Sequence, residues 1–115
     1  MKATFKEICE QFSEGNFPFC YEYFSPDIEW KIAGGESTKT REHVIAYCDK
    51  MMKEMTASTL KNTNIVAQNE DVAIEGICYY TNSDNRARKL MYCDVFHFKN
   101  DRIASITSYC IESKV

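Results

Sequence analysis

The chain has 115 residues, with 17 acidic and 14 basic side chains and a formal net charge of −3 at pH 7. Hydrophobic residues make up 44% and charged residues 27% of the sequence, which is ordinary for a globular protein, and the length predicts one domain over residues 1–115. The basic side chains form no stripe, and no apolar run approaches the roughly 20 residues that span a bilayer. We therefore expect neither nucleic acid nor a membrane as a partner.

An amphipathic pattern predicts a first helix over residues 3–14. Its apolar positions recur at i, i+3, i+4 and i+7 and are Phe5, Ile8, Cys9 and Phe12. Gly15 is expected to end the helix. The same segment is amphipathic and acidic, whereas a signal peptide has an unbroken apolar centre, so a cytoplasmic location is expected.

A second, short helix is predicted from Pro18 to Phe24, because proline is favoured in a first helical turn. We expect Phe19, Tyr23 and Phe24 to face inward. The next segment alternates apolar and charged residues, which predicts a strand over 28–32 that places Trp30 on its apolar side. A turn follows at residues 34–35, where two glycines are adjacent.

A third helix is predicted to begin after Thr40, a suitable N-cap with Glu42 in the first turn. Its apolar stripe consists of Val44, Cys48, Met51, Met52 and Met55. Methionine fills irregular spaces well, so this stripe is interpreted as adaptable core rather than as a ligand-binding box.

After Ser58 the pattern changes to strands, predicted over residues 59–68, 71–81, 88–98 and 102–112 and separated by polar turns. Helices and one strand followed by a run of antiparallel strands indicate an α+β domain. About three N-terminal helices should pack on one face of a curved, mostly antiparallel sheet.

The six cysteines are spaced without any close pair, which is untypical of zinc sites and redox motifs. We interpret most of them as buried, reduced thiols. Cys93 and His97 are four residues apart on one strand, or about 13 Å, which is too far for a nucleophile–base pair. The sequence predicts no metal site and no cofactor.

Four segments in order resemble the nuclear-transport-factor-2-like superfamily, which includes SnoaL-like cyclases and ketosteroid isomerases. Residues 24–30 resemble its "F-x-x-D-a-x-a" motif, and residues 40–47 resemble its "G-x-x-x-I-x-x-Y" motif with Thr40 in place of the glycine. Residues 72–76 are similar to its central strand, and residues 94–103 to its "D-x-F-x-F-x-D-G-K-I" hairpin. The resemblance implies a cone-shaped α+β roll, an apolar cavity between helices and sheet, and a homodimer.

Asp94 is the main candidate for chemistry because it shares a strand face with Tyr92 and Phe96. If that face lines the cavity, burial should raise the pKa of the carboxyl group, which would then act as an acid/base or as an oxyanion donor. The matching aspartate of ketosteroid isomerase has the latter role, which is an established example rather than a result of ours. Candidate ligand-binding residues are Trp30, Tyr80, Tyr92, Phe96 and Ile106. They predict a small apolar or aromatic molecule as the partner.

The rest of the relatives' catalytic residues do not carry over. The isomerase base corresponds to a position near Ile32, and its oxyanion tyrosine to Ile8 or Phe12, none of which titrates. The Arg, Asp and Asp of limonene-epoxide hydrolases correspond to Gly76, Cys78 and Ser108. Both reactions are therefore disfavoured.

Three hypotheses remain open from the sequence. The protein is an isomerase- or cyclase-type enzyme that uses Asp94, a non-catalytic binder of apolar ligands, or an interaction domain. The third would use the outer sheet face, where alternation places Glu75, Ile77, Tyr79, Val95 and His97.

Overall fold

The structure of the protein, a computed structural model, describes residues 3–55 and 57–113. The elements in chain order are helix α1 (Phe5–Ser13), a 3-10 helix (Phe17–Tyr23), strands β1 (Phe24–Ile32) and β2 (Ser37–Lys39), helix α2 (Arg41–Glu54), and strands β3 (Thr59–Gln68), β4 (Asp71–Thr81), β5 (Ala87–Lys99) and β6 (Arg102–Glu112). The outermost residues of the predicted domain, 1–2 and 114–115, lie outside the described residues.

The strands form one sheet in the order β2-β1-β6-β5-β4-β3. Strands β1 and β6 are parallel, and the other described pairs are antiparallel. The predicted α+β class, with three helices on a mostly antiparallel sheet, is confirmed. Two details differ: β1 begins four residues earlier than predicted, at Phe24, and the short edge strand β2 was not predicted. Only three residues long, β2 is too short for an alternation pattern to show.

Helix α1 packs against the sheet through the face that the periodicity predicts. The Thr4 hydroxyl caps the helix by accepting a hydrogen bond from the backbone N–H of Glu7 at 3.1 Å. Ile8 and Phe12 are buried, and the Phe12 ring contacts the rings of Trp30 and Phe96. Helix α1 lies over β3, β4 and β5, and these ring contacts also join it to Trp30 on β1.

The second helix is a 3-10 helix, and its buried residues are not those expected. Phe17 and Cys20 face the core, whereas Phe19 is 40% exposed and Tyr23 is half-buried. The 3-10 repeat of three residues places residues 17 and 20 on the same side, which explains the difference. Phe24 is buried as predicted.

Helix α2 begins at the predicted N-cap, but in a strained backbone conformation. Thr40 has φ 76° and ψ 145°, a combination that glycine adopts readily and that a β-branched residue rarely adopts. Its hydroxyl accepts a hydrogen bond from the backbone N–H of His43 at 3.4 Å. Within the described ranges, no helix combines the length and the apolar composition needed to cross a bilayer.

Strand β5 shows the predicted alternation along its length. Tyr92, Asp94 and Phe96 face the helices and are buried, while Val95 and His97 face outward. The inner face of the sheet therefore carries Asp94 among apolar side chains. The outer face carries exposed apolar residues, which are Val66, Tyr79, Met91, Val95, Tyr109 and Ile111.

Candidate functional site

The Asp94 carboxyl group lies in the centre of the inner sheet face. Its cross-strand neighbours are Ile74 on β4 and Ser108 on β6, and the residue is only 7% exposed. The Ser108 hydroxyl donates a hydrogen bond to Asp94 Oδ1 at 2.6 Å. The Ser13 hydroxyl, at the end of α1, donates one to Oδ2 at 2.7 Å. Both carboxyl oxygens are thus bound by neutral hydroxyl donors.

A third hydrogen bond extends this network to strand β1. The indole Nε1–H of Trp30 donates to the Ser108 oxygen at 2.9 Å. The indole group has no acceptor lone pair, so this bond has a fixed direction, and the Ser108 proton is left to point at Asp94. The result is a chain from Trp30 through Ser108 to Asp94, with Ser13 binding from the opposite side.

Burial raises the pKa of the Asp94 carboxyl group above its usual value of 3.8. The hydrogen bonds from Ser108 and Ser13 stabilise the carboxylate and act in the opposite direction, but desolvation is the larger effect. Two hydroxyl groups offset less than a cation would. The geometry therefore holds a carboxyl group whose protonated form is favoured relative to an exposed aspartate.

Asp94 lies in the wall of a pocket between the helices and the sheet. The pocket has a volume of about 200 Å³. Its wall is formed by Phe12, Ser13, Phe17, Trp30, Ile32, Met51, Met55, Leu60, Cys78, Leu90, Tyr92, Asp94, Ser108 and Cys110. Most of this wall is apolar, and the hydrogen-bonded group of Asp94, Ser13 and Ser108 is its main polar feature.

The structure brings only part of the predicted set to this pocket. Trp30, Tyr92 and Asp94 line it. Phe96 and Ile106 are fully buried in the core and are not among the lining residues. The Phe12 ring packs edge-on against Phe96 and covers it.

Tyr80 is also outside the pocket wall. It lies on the inner face beyond Cys78, towards the end of β4, where its hydroxyl donates to Glu112 at 3.2 Å. Tyr80 therefore lies near the end of the sheet and does not contact the pocket.

Tyr92 lines the pocket with its ring rather than with a free hydroxyl. The hydroxyl donates to Asn62 Oδ1 at 2.6 Å, and Asn62 Nδ2 in turn donates to the backbone carbonyl of Glu10 on α1 at 3.2 Å. Gly76 makes room for the ring, because a Cβ atom there would lie 2.1 Å from Tyr92 Cζ. Tyr92 therefore links β5 to β3 and shapes the pocket, while Asn62 links β3 to α1.

Sequence reasoning did not identify Ser13, Met51 or Met55 as site residues. For Ser13 a signal existed: it follows Cys9 by four residues, so a polar side chain occupies the next position of the apolar helix stripe. Ser108 was considered only as a replacement for a relative's aspartate. The methionines were assigned to the core, but Met51 and Met55 are half-buried pocket residues.

The positions that the sequence comparison matched to catalytic groups of relatives hold apolar or neutral side chains in this structure. Ile32 and Phe12 line the pocket, and Ile8 is buried on the inner side of α1. Cys78 also lines it, and burial raises the pKa of its thiol. Apart from Asp94, the pocket wall offers no carboxylate among the described residues.

The cysteines are free thiols, as predicted. Cys9, Cys20, Cys48 and Cys78 are buried, and burial raises the pKa of both Cys20 and Cys48 to about 12. In residues 3–55 and 57–113, no group of three His, Cys, Asp or Glu side chains is arranged to hold a metal ion.

The fold and the pocket define a nuclear-transport-factor-2-like protein, with a helix-covered curved sheet. The family profile described as "SnoaL-like domain" matches residues 5–106, and the chain therefore belongs to the SnoaL-like family. The resemblance found in the sequence is confirmed. A comparison with curated protein sequences gives no match.

Solved structures support the same assignment. An NTF2-like protein of unknown function from Cytophaga hutchinsonii is 40% identical with a TM-score of 0.88, and the alignment covers 91% of this chain and 94% of that one. One from Burkholderia pseudomallei is 19% identical with a TM-score of 0.71, over 89% and 83% of the two chains. A protein with a ketosteroid isomerase-like fold from Catenulispora acidiphila, in complex with trimethylamine, is 14% identical with a TM-score of 0.71, over 92% and 86%.

Proposed function

We propose that the protein binds a small, mainly apolar molecule with one carbonyl or hydroxyl oxygen, and that Asp94 exchanges a proton with it. The observation that carries this proposal is a buried carboxyl group in the wall of an otherwise apolar pocket, with a pKa raised by burial and only hydroxyl donors on its two oxygens. Perturbed carboxyl groups in pockets are typical of functional sites.

The pocket volume limits the size of the ligand. An apolar cavity of about 150 Å³ takes one benzene molecule. The Asp94 pocket, at about 200 Å³, therefore suits a single ring with a short substituent rather than a fused polycyclic compound. The ring would contact Trp30 and Tyr92, and the oxygen would point at Asp94.

Asp94 supports an isomerase- or cyclase-type reaction in two steps. As a carboxylate it accepts a proton from the carbon next to the ligand's carbonyl group, and as the acid it returns a proton to another position. Ser13 and Ser108 hold both oxygens in place. Since the positions of the relatives' second catalytic groups are apolar, Asp94 would serve as both acid and base.

Proton exchange in heavy water tests this chemistry directly. Butyrophenone carries exchangeable hydrogens next to its carbonyl group, and their replacement by deuterium is visible by NMR. We expect the wild type to accelerate the exchange and Asp94→Asn to abolish the acceleration. The matched control is Asp84→Asn, the same substitution in the exposed turn between β4 and β5. Unchanged exchange in the Asp94→Asn protein would contradict a catalytic role.

A protein that binds butyrophenone without accelerating exchange would be the non-catalytic alternative. Its pocket would hold the ligand by apolar contact, with Asp94 orienting the oxygen.

The six free cysteines fit a reducing compartment, and we propose that the protein works in the cytoplasm.

The outer sheet face favours self-association as a second property. Its exposed apolar side chains include Tyr79, Met91 and Ile111, which are 47%, 49% and 70% exposed. They lie on the adjacent strands β4, β5 and β6. Met91 pairs with Ile111 on β6 and with Ile77 on β4, two residues before Tyr79. We propose that two copies pair through this face as a homodimer.

Light scattering distinguishes the dimer from a monomer. We expect the wild type to have twice the chain mass and Tyr79→Arg to be monomeric, because a buried, unpaired guanidinium is costly in an interface. Phe19→Arg, at an exposed position of the 3-10 helix, is the control that should stay dimeric. A monomeric wild type would contradict the proposal.

A further inference from the structure

A second pocket adjoins the Asp94 pocket near the C-terminal ends of both α-helices. It has a volume of about 140 Å³ and is lined by Glu14, Gly15, Phe17, Met52, Met55, Ser58 and Leu60. Phe17, Met55 and Leu60 also line the Asp94 pocket, so these three side chains separate the two spaces. The two pockets are therefore neighbours with a common wall.

The three residues of this wall differ in their freedom to move. Phe17 is 4% exposed, and its ring packs against those of Phe12 and Trp30. Leu60 is held in β3, where it pairs with Cys78 on β4. Met55 follows the last residue of α2 and is half-buried. Its unbranched side chain has three rotatable bonds, so Met55 is the part of the wall that can swing aside at least cost.

Three methionines at the C-terminal end of α2 line the two pockets. Met51 lines the Asp94 pocket, Met52 lines the second pocket, and Met55 lines both. Three adaptable side chains at one boundary are typical of a surface that adjusts to ligands of different length. The sequence analysis assigned these methionines to the core, but in the structure they line the pockets.

We propose that the two pockets are compartments of one ligand site and that Met55 determines how long a ligand it accepts. The ligand class is a single ring with a carbonyl group towards Asp94 and an unbranched alkyl chain that passes Met55 into the second pocket. There, Glu14 and Ser58 provide oxygen atoms that suit a hydroxyl group at the chain's end. This inference rests on the proposed function, because it requires a ligand beside Asp94.

A series of phenyl alkyl ketones from acetophenone to octanophenone tests the proposal. The fluorescence of Trp30, the only tryptophan and a pocket residue, reports binding. In the wild type we expect affinity to rise with chain length, by up to about fourfold for each methylene group that becomes buried. In Met55→Phe and in Met52→Phe this gain should disappear for the long ketones, while the affinity for acetophenone stays within about twofold in Met52→Phe, which lies outside the Asp94 pocket.

Lys50→Phe, on the exposed side of α2, is the matched control and should bind the whole series like the wild type. If acetophenone binds but ketones too large for the Asp94 pocket bind no more tightly than shorter ones, the inference is overturned and the proposed function stands. The same holds if Met52→Phe and Met55→Phe weaken short and long ketones equally. If no ketone binds to the wild type, both the inference and the proposed function are overturned.

Discussion

Replacing Ser108 by alanine removes the centre of the hydrogen-bonded chain around Asp94. The substitution deletes the bond to Asp94 Oδ1 at 2.6 Å and the acceptor for Trp30 Nε1 at 2.9 Å. Ser108 and Trp30 are each 3% exposed, so solvent outside the protein does not reach either group. The variant therefore leaves one buried donor unpaired and one buried carboxyl group with a single hydroxyl donor.

The expected loss of stability has two parts. A hydrogen bond to a charged group contributes about 1.5–3 kcal/mol, and an unpaired buried N–H costs about 1–3 kcal/mol. Ser108→Ala should thus lower the free energy of unfolding at neutral pH by about 2.5–6 kcal/mol. Ser13→Ala loses only a bond to Asp94 and leaves no described donor unpaired, so it should cost about 1.5–3 kcal/mol.

Urea denaturation followed by circular dichroism measures both values. A double-mutant cycle of Ser108→Ala with Trp30→Phe isolates the indole–hydroxyl bond, because the cost of the smaller ring appears in both arms and cancels. We expect a coupling energy of about 1–3 kcal/mol. A coupling near zero, or a larger cost for Ser13→Ala than for Ser108→Ala, would refute the reasoning.

Three further substitutions test separate parts of the structure. Thr40→Gly should raise the free energy of unfolding by about 1 kcal/mol in a urea titration, since relief of a strained φ of 76° outweighs the loss of a hydroxyl cap; a loss of stability would contradict this. Gly76→Ala should cost more than about 3 kcal/mol or prevent folding, because its Cβ would meet the Lys61 carbonyl at 2.6 Å as well as the Tyr92 ring, and soluble expression with wild-type stability would be the contrary result. Asp94→Asn should become more stable relative to the wild type as the pH rises. The raised pKa of Asp94 gives the folded wild type an advantage that is complete below pH 3.8 and is lost as the pH rises through the folded-state pKa, so a constant difference between pH 3 and 8 would argue against a raised pKa.

Periodicity in the sequence was sufficient to predict most of the fold. The alternation along β5 placed Asp94 and Tyr92 on the inner face, and both line the pocket. Short elements were harder, because β2 has three residues and the 3-10 helix has its own repeat.

The site was predicted less completely, because its hydrogen bonds join residues far apart in the chain. Ser13 and Asp94 are separated by 81 residues and Trp30 and Ser108 by 78, so no local pattern connects them. The extent of the pocket also depends on packing. Phe96 and Ile106 share the inner face with Asp94, yet the ring of Phe12 on α1 fills the space above Phe96. Strand alternation predicts which side of the sheet a residue faces, but it does not predict whether another side chain or the pocket lies above that residue.

The pH dependence of acetophenone binding tests the central claim most directly. Asp94 can donate a hydrogen bond to the ketone oxygen only when it is protonated, so we expect saturable binding, seen in the Trp30 signal, that strengthens as the pH falls through the pKa of Asp94. In Asp94→Asn, where the amide always has a donor, the affinity should not vary over the same pH range. Absence of saturable binding, or the same pH dependence in both proteins, would contradict the account.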